Sequence, residues 1–210
     1  MKLLCLIVAT IQPALLSARP ENLSKAKAEI ISYYEGGQYE KDLDKAISKA
    51  IKHFNKIPAT SKTLVIFDVD DTALQNYQLY KKISFGHVPE IFYTWIVESD
   101  TPAIPQTKSL YDYLVGRGFR IIFLSGRRHD EYDLTVENLK KQGFTTFDRV
   151  IVRSEKDARK TAHDFKVEQR KLLTQEGYNI VAMVGDQWSD VCGGYADYYV
   201  KLPNLMYTLE

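Results

Sequence analysis

From Glu21 to about Phe54 apolar positions recur at helical spacing. Ile30, Ile31 and Tyr34 share one face of a first helix, and Leu43, Ala46, Ile47, Ala50 and Ile51 stripe a second. Gly36-Gly37 separates the two. The pattern then changes period. Leu64 to Phe67 is a continuous apolar run, as expected for a strand covered on both faces. Further strands are predicted at Arg120–Leu124, Val150–Val152, Ile180–Val184 and Tyr198–Val200. Between them lie helical stretches near Thr107–Leu114, Glu131–Gln142 and Lys166–Glu176, closed by Gly116, Gly143 and Gly177. This alternation predicts an α/β fold, a mainly parallel sheet with helices on both faces. Residues 75–106 break it with prolines, aromatic residues and short helical pieces, and are expected to insert over the sheet edge as a small cap. The predicted organisation is a leader at 1–18, an N-terminal helical region at 19–60, and a core at 61–210 carrying that insertion.

Composition narrows the picture. A chain of 210 residues suffices for one domain with a full core. With 28 basic against 27 acidic residues the formal charge is +1, which gives no reason to expect a nucleic acid polymer as partner. Met1-Lys2 followed by the apolar stretch Leu3–Ile11, with Leu16-Ser17-Ala18 before Arg19, reads as a secretory signal; a buried N-terminal helix is the alternative. The run falls short of the roughly 20 residues that span a bilayer, so no stable membrane span is expected. Cys5 would leave with the leader, so the exported chain, whether extracellular, periplasmic or vacuolar, keeps Cys192 alone and forms no internal disulfide. Nothing in the sequence sets an oligomeric state.

The candidate chemistry gathers at strand ends. Phe67-Asp68-Val69-Asp70-Asp71-Thr72 closes the first predicted strand, and alternation places Asp68 and Asp70 on one side of it. Like charges there repel unless a cation or a proton separates them. The cluster therefore suggests a site for a hard cation such as Mg²⁺, with a carboxylate left for chemistry. An acidic turn is the bland alternative. The second and fourth strands end in Ser125-Gly126-Arg127-Arg128 and Gly185-Asp186-Gln187-Trp188-Ser189-Asp190. In an open parallel sheet, ligands bind beyond the carboxyl ends of the strands. Ser125 Oγ and the N–H groups after it, at a strand-to-helix junction, would cradle an anion. Asp186 can join Asp68 in holding Mg²⁺, and Lys166, at the start of a helix, can face a phosphate.

These strings in this order resemble the haloacid dehalogenase (HAD) superfamily of phosphatases. Asp68, Asp70 and Thr72 match its DxDxT motif, Ser125 the second motif, Lys166 the third, and Gly185, Asp186 and Asp190 the GDxxxD motif. Phe123-Leu124-Ser125-Gly126-Arg127, Glu176-Gly177-Tyr178 and Gly37-Gln38-Tyr39 narrow the resemblance to subfamily IIIB, the class B-type acid phosphatases that include plant acid phosphatases and vegetative storage proteins. The resemblance covers about residues 25–205. It implies a Rossmann-like core, a small phosphomonoester substrate, Asp68 as nucleophile and Asp70 as acid and base. It also implies Ser125 and Lys166 on the transferring oxygens. Mg²⁺ would be held by the Asp68 side chain, the Asp70 carbonyl and Asp186, with Asp190 orienting a water or Asp186.

Other residues carry alternatives. Thr72 is expected to position the Asp70 backbone or to cap the next helix, and Arg127 and Arg128 to touch substrate or pair with surface acids. Tyr77, Phe85, Phe92, Tyr93 and Trp95 are read mainly as subdomain core, otherwise as an apolar wall for the leaving group. Trp188 is expected to pack, and His87 and His129 to be solvated. A storage or binding protein with little turnover is the competing function. A dinucleotide-binding protein is disfavoured, because no G-x-G-x-x-G follows the first strand.

Overall fold

The computed structural model describes residues 21–209; the leader expected at 1–18 lies outside them. Helix α1 (Leu23–Glu35) starts at Asn22, whose side chain accepts from Lys25 N, and ends at Gly36. Gly37 sits in the left-handed region at φ 80° and turns the chain into α2 (Gln38–Phe54). The α2 stripe Leu43, Ile47, Ala50 and Phe54 is buried in the same core as the sheet residues Val65 and Phe67.

Five strands form one parallel sheet among the described residues: β1 (Thr63–Phe67), β2 (Arg120–Arg128), β3 (Arg149–Arg153), β4 (Asn179–Gly185) and β5 (Tyr199–Lys201). Their order is β3-β2-β1-β4-β5, so connections from β1 run one way and the return to β4 runs the other. The crevice at this reversal lies between β1 and β4, where such sheets hold ligands. Strand alternation divides the core. Val65, Phe67, Ile121 and Phe123 face α2, α5 (Pro105–Gly116) and Leu139 of α6 (Tyr132–Lys141). Leu64, Ile66, Ile122 and Leu124 face Phe165 and Leu173 of α7 (Ala162–Gln175) and Val191 of α8 (Trp188–Val191).

The structure corrects three local expectations. β2 runs on to Arg128, so Ser125-Gly126-Arg127 lies within its last stretch, where the pairing with β3 slips register, and not at a strand-to-helix junction. Helix α7 begins at Ala162, because Thr161 caps it by accepting from Asp164 N at 3.0 Å; Lys166 therefore lies beyond the first turn. That polar first turn carries no apolar signal. Residues 75–102 leave and return through an antiparallel pairing of Leu74 with Ala103, and they stand at the carboxyl end of central β1 and not at the sheet edge. They include α3 (Tyr77–Lys82) and α4 (Pro89–Val97), and Tyr77 stacks on Tyr34 of α1 with ring centres 4.5 Å apart. No helix among the described residues is long and apolar enough to cross a membrane.

Candidate active site

Asp68 follows directly on β1, and its N–H donates to Val184 O of β4 at 2.9 Å, fixing the backbone at the crevice. The chain then turns sharply. Asp71 adopts φ 54°, a region that Asp tolerates, while Ala73 N and Leu74 N both donate to Val69 O. The Asp71 side chain accepts from Asn76 N at 2.9 Å and Tyr207 Oη at 2.8 Å. Burial, with help from the Asp186 charge, pushes its carboxyl up to about 8. Asp71 thus fastens the loop, and its surroundings favour the protonated carboxyl.

Lys166 reaches inward from α7 and places Nζ 2.5 Å from both Asp68 Oδ1 and Asp190 Oδ1. Burial alone would lower its proton affinity, but the two carboxylates outweigh that and hold the ammonium protonated. Asp190 is held on its other side by Gln187 N, which donates to Oδ2 at 2.7 Å at the start of α8. Its side chain packs where Gly185 has none: a Cβ on Gly185 would lie 2.3 Å from Asp190 Cβ. Beneath, buried Arg170 donates to the carbonyls of Asp190 and Cys192.

Asp186 accepts at Oδ1 from Thr72 Oγ1 (2.9 Å) and at Oδ2 from Gln187 Nε2 (2.6 Å) and Asn204 Nδ2 (2.7 Å). Its own N–H returns a bond to Thr72 Oγ1 at 3.0 Å. Thr72 therefore clamps the fourth motif to the first; neither role expected of it is the one it takes. Burial and the neighbouring Asp190 push Asp186 up to about 6, against the pull of those three donors. Asp68 is driven well above the usual carboxylate range, by burial first; Lys166 pulls it down while Asp190, Asp186 and Asp70 push it further up.

The chemistry of this donor set tests its fit to a cation. Oxygens of Asp68, Asp186 and Asp190 lie within 4.8 Å of one another, all buried. With Lys166 as the one ammonium among them, three carboxylates would carry two uncompensated negative charges when ionised, and a divalent ion would cancel these and favour the ionised forms. All-oxygen ligands suit a hard cation such as Mg²⁺.

The Asp70 carboxylate does not join them. Arg127 grips it with two hydrogen bonds, Nε to Oδ2 at 2.9 Å and Nη2 to Oδ1 at 2.8 Å, and Asn76 Nδ2 adds a third at 3.0 Å. Burial would raise Asp70, but the Arg127 charge and these bonds prevail and hold it below its ordinary value. Arg127 is itself buried, so pairing with a surface acid is ruled out. Ser125 is also buried; its Oγ accepts from Arg127 N at 3.2 Å, which leaves its O–H free to donate, while Gly126 lines the open cleft.

This cleft, about 700 Å³, exposes Asp68, Asp70, Lys166, Asp186 and Asp190 together. Tyr80, Phe85, His87 and Phe92 from the insertion wall one side, and Tyr207, Thr208 and Leu209 close another. Of the aromatic residues singled out, Phe85 and Phe92 meet the cleft, and Tyr77 is core. Tyr93 is exposed beneath Arg128, and Trp95 donates to Asn76. Trp188 does not pack as expected: it is 61% exposed, with Lys201 Nζ 5.4 Å from its ring centre. His129 lies in a separate groove of about 380 Å³ outside β3. Sequence reasoning missed Asn76, Gln187, Asn204 and Tyr207. Gln187 lies inside a recognised motif and could have been suspected; the other three carry no local signal.

The comparisons agree with this geometry. Residues 13–210 match the family described as HAD superfamily, subfamily IIIB (acid phosphatase). The Stem 28 kDa glycoprotein of Glycine max is 35% identical over 91% of this chain and 76% of its own length. Acid phosphatase 1 of Solanum lycopersicum is 33% identical over 83% and 71%, and Vegetative storage protein 1 of Arabidopsis thaliana is 33% identical over 81% and 65%. The crystal structure of the class C acid phosphatase from Bacillus anthracis with tungstate bound shares the fold, with a TM-score of 0.71 at 19% identity over 89% of this chain and 86% of that one. With the sequence matched along nearly its whole described length and the same fold in a solved phosphatase, the chain belongs to the subfamily IIIB acid phosphatases of the HAD superfamily.

Proposed function

We propose that the protein is an exported, Mg²⁺-dependent phosphomonoesterase that works through an aspartyl-phosphate on Asp68. The observation that carries this reading is the position of the Asp68 carboxylate, in the cleft, beside Lys166 and grouped with Asp186 and Asp190. The Asp68 side chain attacks phosphorus in line, the ester P–O bond breaks, and the leaving oxygen takes a proton from Asp70. Water then attacks the acyl phosphate, gives its proton to Asp70, and releases phosphate while restoring Asp68. Lys166, the Gly126 N–H and the Ser125 O–H stabilise charge on the equatorial oxygens. Asp68, Asp186 and the Asp70 carbonyl would hold Mg²⁺, oriented by Asp190, and the ion supplies the positive charge that lets phosphate approach a carboxylate.

Arg127 adds a constraint. It holds Asp70 ionised, the form needed to accept a proton from water, so the acid form needed for a poor leaving group is populated only at low pH. This gives a physical reason for turnover that favours acidic conditions. Export is supported by the leader pattern and by glycoprotein and storage-protein relatives. The storage reading draws on those same names, yet this chain keeps the nucleophile and its ammonium partner in place. Phosphate release from an aryl phosphate decides between them. Turnover should stop with EDTA and fall at least about a thousandfold in Asp68→Asn. Equal rates in variant and parent would remove the enzyme reading.

A further inference from the structure

The cations lining the cleft are not equivalent. Lys166 is neutralised by Asp68 and Asp190, and Arg127 by Asp70. Arg128 has Asp130 at 3.3 Å and Glu131 at 3.7 Å. Arg153, at the end of β3, lines the same cleft, yet among the described residues no carboxylate forms an ion pair with it. Its Nη1 donates to two backbone carbonyls, Asp157 O at 3.0 Å and Lys160 O at 2.7 Å, and its guanidinium lies 5.3 Å from the centre of the Phe165 ring. The carboxylate nearest in sequence, Asp157, is engaged by Lys160 Nζ and by Ser154 N and Oγ. Arg153 is thus pinned in one orientation with its charge uncompensated. Burial pushes its guanidinium below the ordinary value, and the Asp157 charge only partly opposes that.

Its position says what it could meet. A Cβ built on Gly126 would lie 3.9 Å from Arg153 Nε, so the guanidinium stands beside the lip of the phosphate cradle. β3 is two strands away from β1, roughly 10 Å across the sheet at ordinary strand spacing. A phosphoryl group on Asp68 would have the Lys166 ammonium beside it, while Arg127 is engaged by Asp70 and Thr135. The more distant Arg153 suits a second anion a few bonds from the phosphorus.

We propose that Arg153 is a substrate-binding residue that selects phosphomonoesters carrying a second anionic group, a carboxylate or another phosphate, on the leaving group. This deepens the phosphomonoesterase reading and rests on it. Guanidinium recognises such oxygens by paired, charge-assisted hydrogen bonds, and Nε and Nη2 have no protein partner among the described residues.

Inert phosphonates test it by calorimetry on the full chain with Mg²⁺. The parent should bind 4-phosphonobenzoate about tenfold or more tightly than phenylphosphonate, and than the uncharged, size-matched 4-carbamoylphenylphosphonate. Arg153→Gln should abolish that ratio while leaving phenylphosphonate binding within about threefold, and Arg153→Lys should restore part of it. Equal or absent binding in the parent, a preference that survives Arg153→Gln, or an equal loss for all three ligands would each overturn the proposal. Phosphate release from aryl phosphates is followed separately. Its absence counts against the enzyme reading, whereas the phosphonate ratio alone decides the role of Arg153.

Discussion

Replacing Lys166 by Met keeps an unbranched stem of nearly the same shape and removes the ammonium that sits 2.5 Å from Asp68 and from Asp190. All three groups are buried, so solvent screening is weak. Removing one partner of a buried ion pair costs about 3–5 kcal/mol, mostly because the remaining charge is left uncompensated. For a domain of this size each kcal/mol shifts Tm by roughly 2–4 °C, so the variant should melt roughly 6–20 °C lower at pH 7. The sign with pH follows from which groups change their affinity for protons. In the parent, Lys166 is held above its unfolded value, so its contribution is complete across the neutral and acid range and is lost only as alkali removes its proton. In the variant Asp68 loses the Lys166 charge that pulls it down in the parent, so its already raised affinity for a proton increases further. The penalty is then largest toward neutral and higher pH and shrinks on acidification as Asp68 takes a proton. Thermal melts followed by circular dichroism in EDTA at pH 7 and pH 5 measure both effects. The double variant Asp68→Asn/Lys166→Met should regain much of the lost stability, because it removes the orphaned charge as well. A Tm loss below about 2 °C at pH 7, or a deficit that widens at pH 5, would refute this account.

Asp70→Asn should lower kcat on an alkyl phosphate by about 10²–10⁴ and on a nitrophenyl phosphate by much less, because only the alkoxide needs a proton to leave; equal losses on both would refute its role as acid. Since Asp186 is pushed up to about 6, Mg²⁺ affinity measured by calorimetry should weaken as pH falls from 7 to 5, and a flat profile would exclude Asp186 as a ligand. Thr72→Val keeps the shape but deletes the bonds to Asp186 Oδ1 and N, and should reduce Mg²⁺ affinity about 10- to 100-fold in the same titration. Gly185→Ala pushes a Cβ into Asp190, and chemical denaturation should show about 1–3 kcal/mol of lost stability together with impaired turnover.

Much of the fold is local information. The short continuous apolar runs located the five strands to within a few residues, and the stripe on α2 marked the face that meets the sheet. Where the reading slipped, polar residues had taken regular conformations. β2 continues through Ser125-Gly126-Arg127, and the first turn of α7 is built from a Thr161 cap without apolar periodicity. Helix pieces between Asn76 and Val97 are likewise set by what they pack on. The Tyr77 ring lies on Tyr34, and Tyr80 packs on Tyr207 with ring centres 5.0 Å apart.

Short-range patterning was enough to put acids and a serine toward the carboxyl ends of parallel strands and a lysine on a helix between them, because apolar runs, turn residues and motif spacing act over a few positions. What each group touches follows from the packing of distant segments. Arg127 meets Asp70 across 57 residues, Lys166 meets Asp68 across 98, Thr72 meets Asp186 across 114, and Tyr207 meets Asp71 across 136. These pairings set the protonation of each carboxyl, because charge and desolvation depend on distance and burial in space. Those quantities come into being when helices α2, α5 and α7 close on the two faces of the sheet.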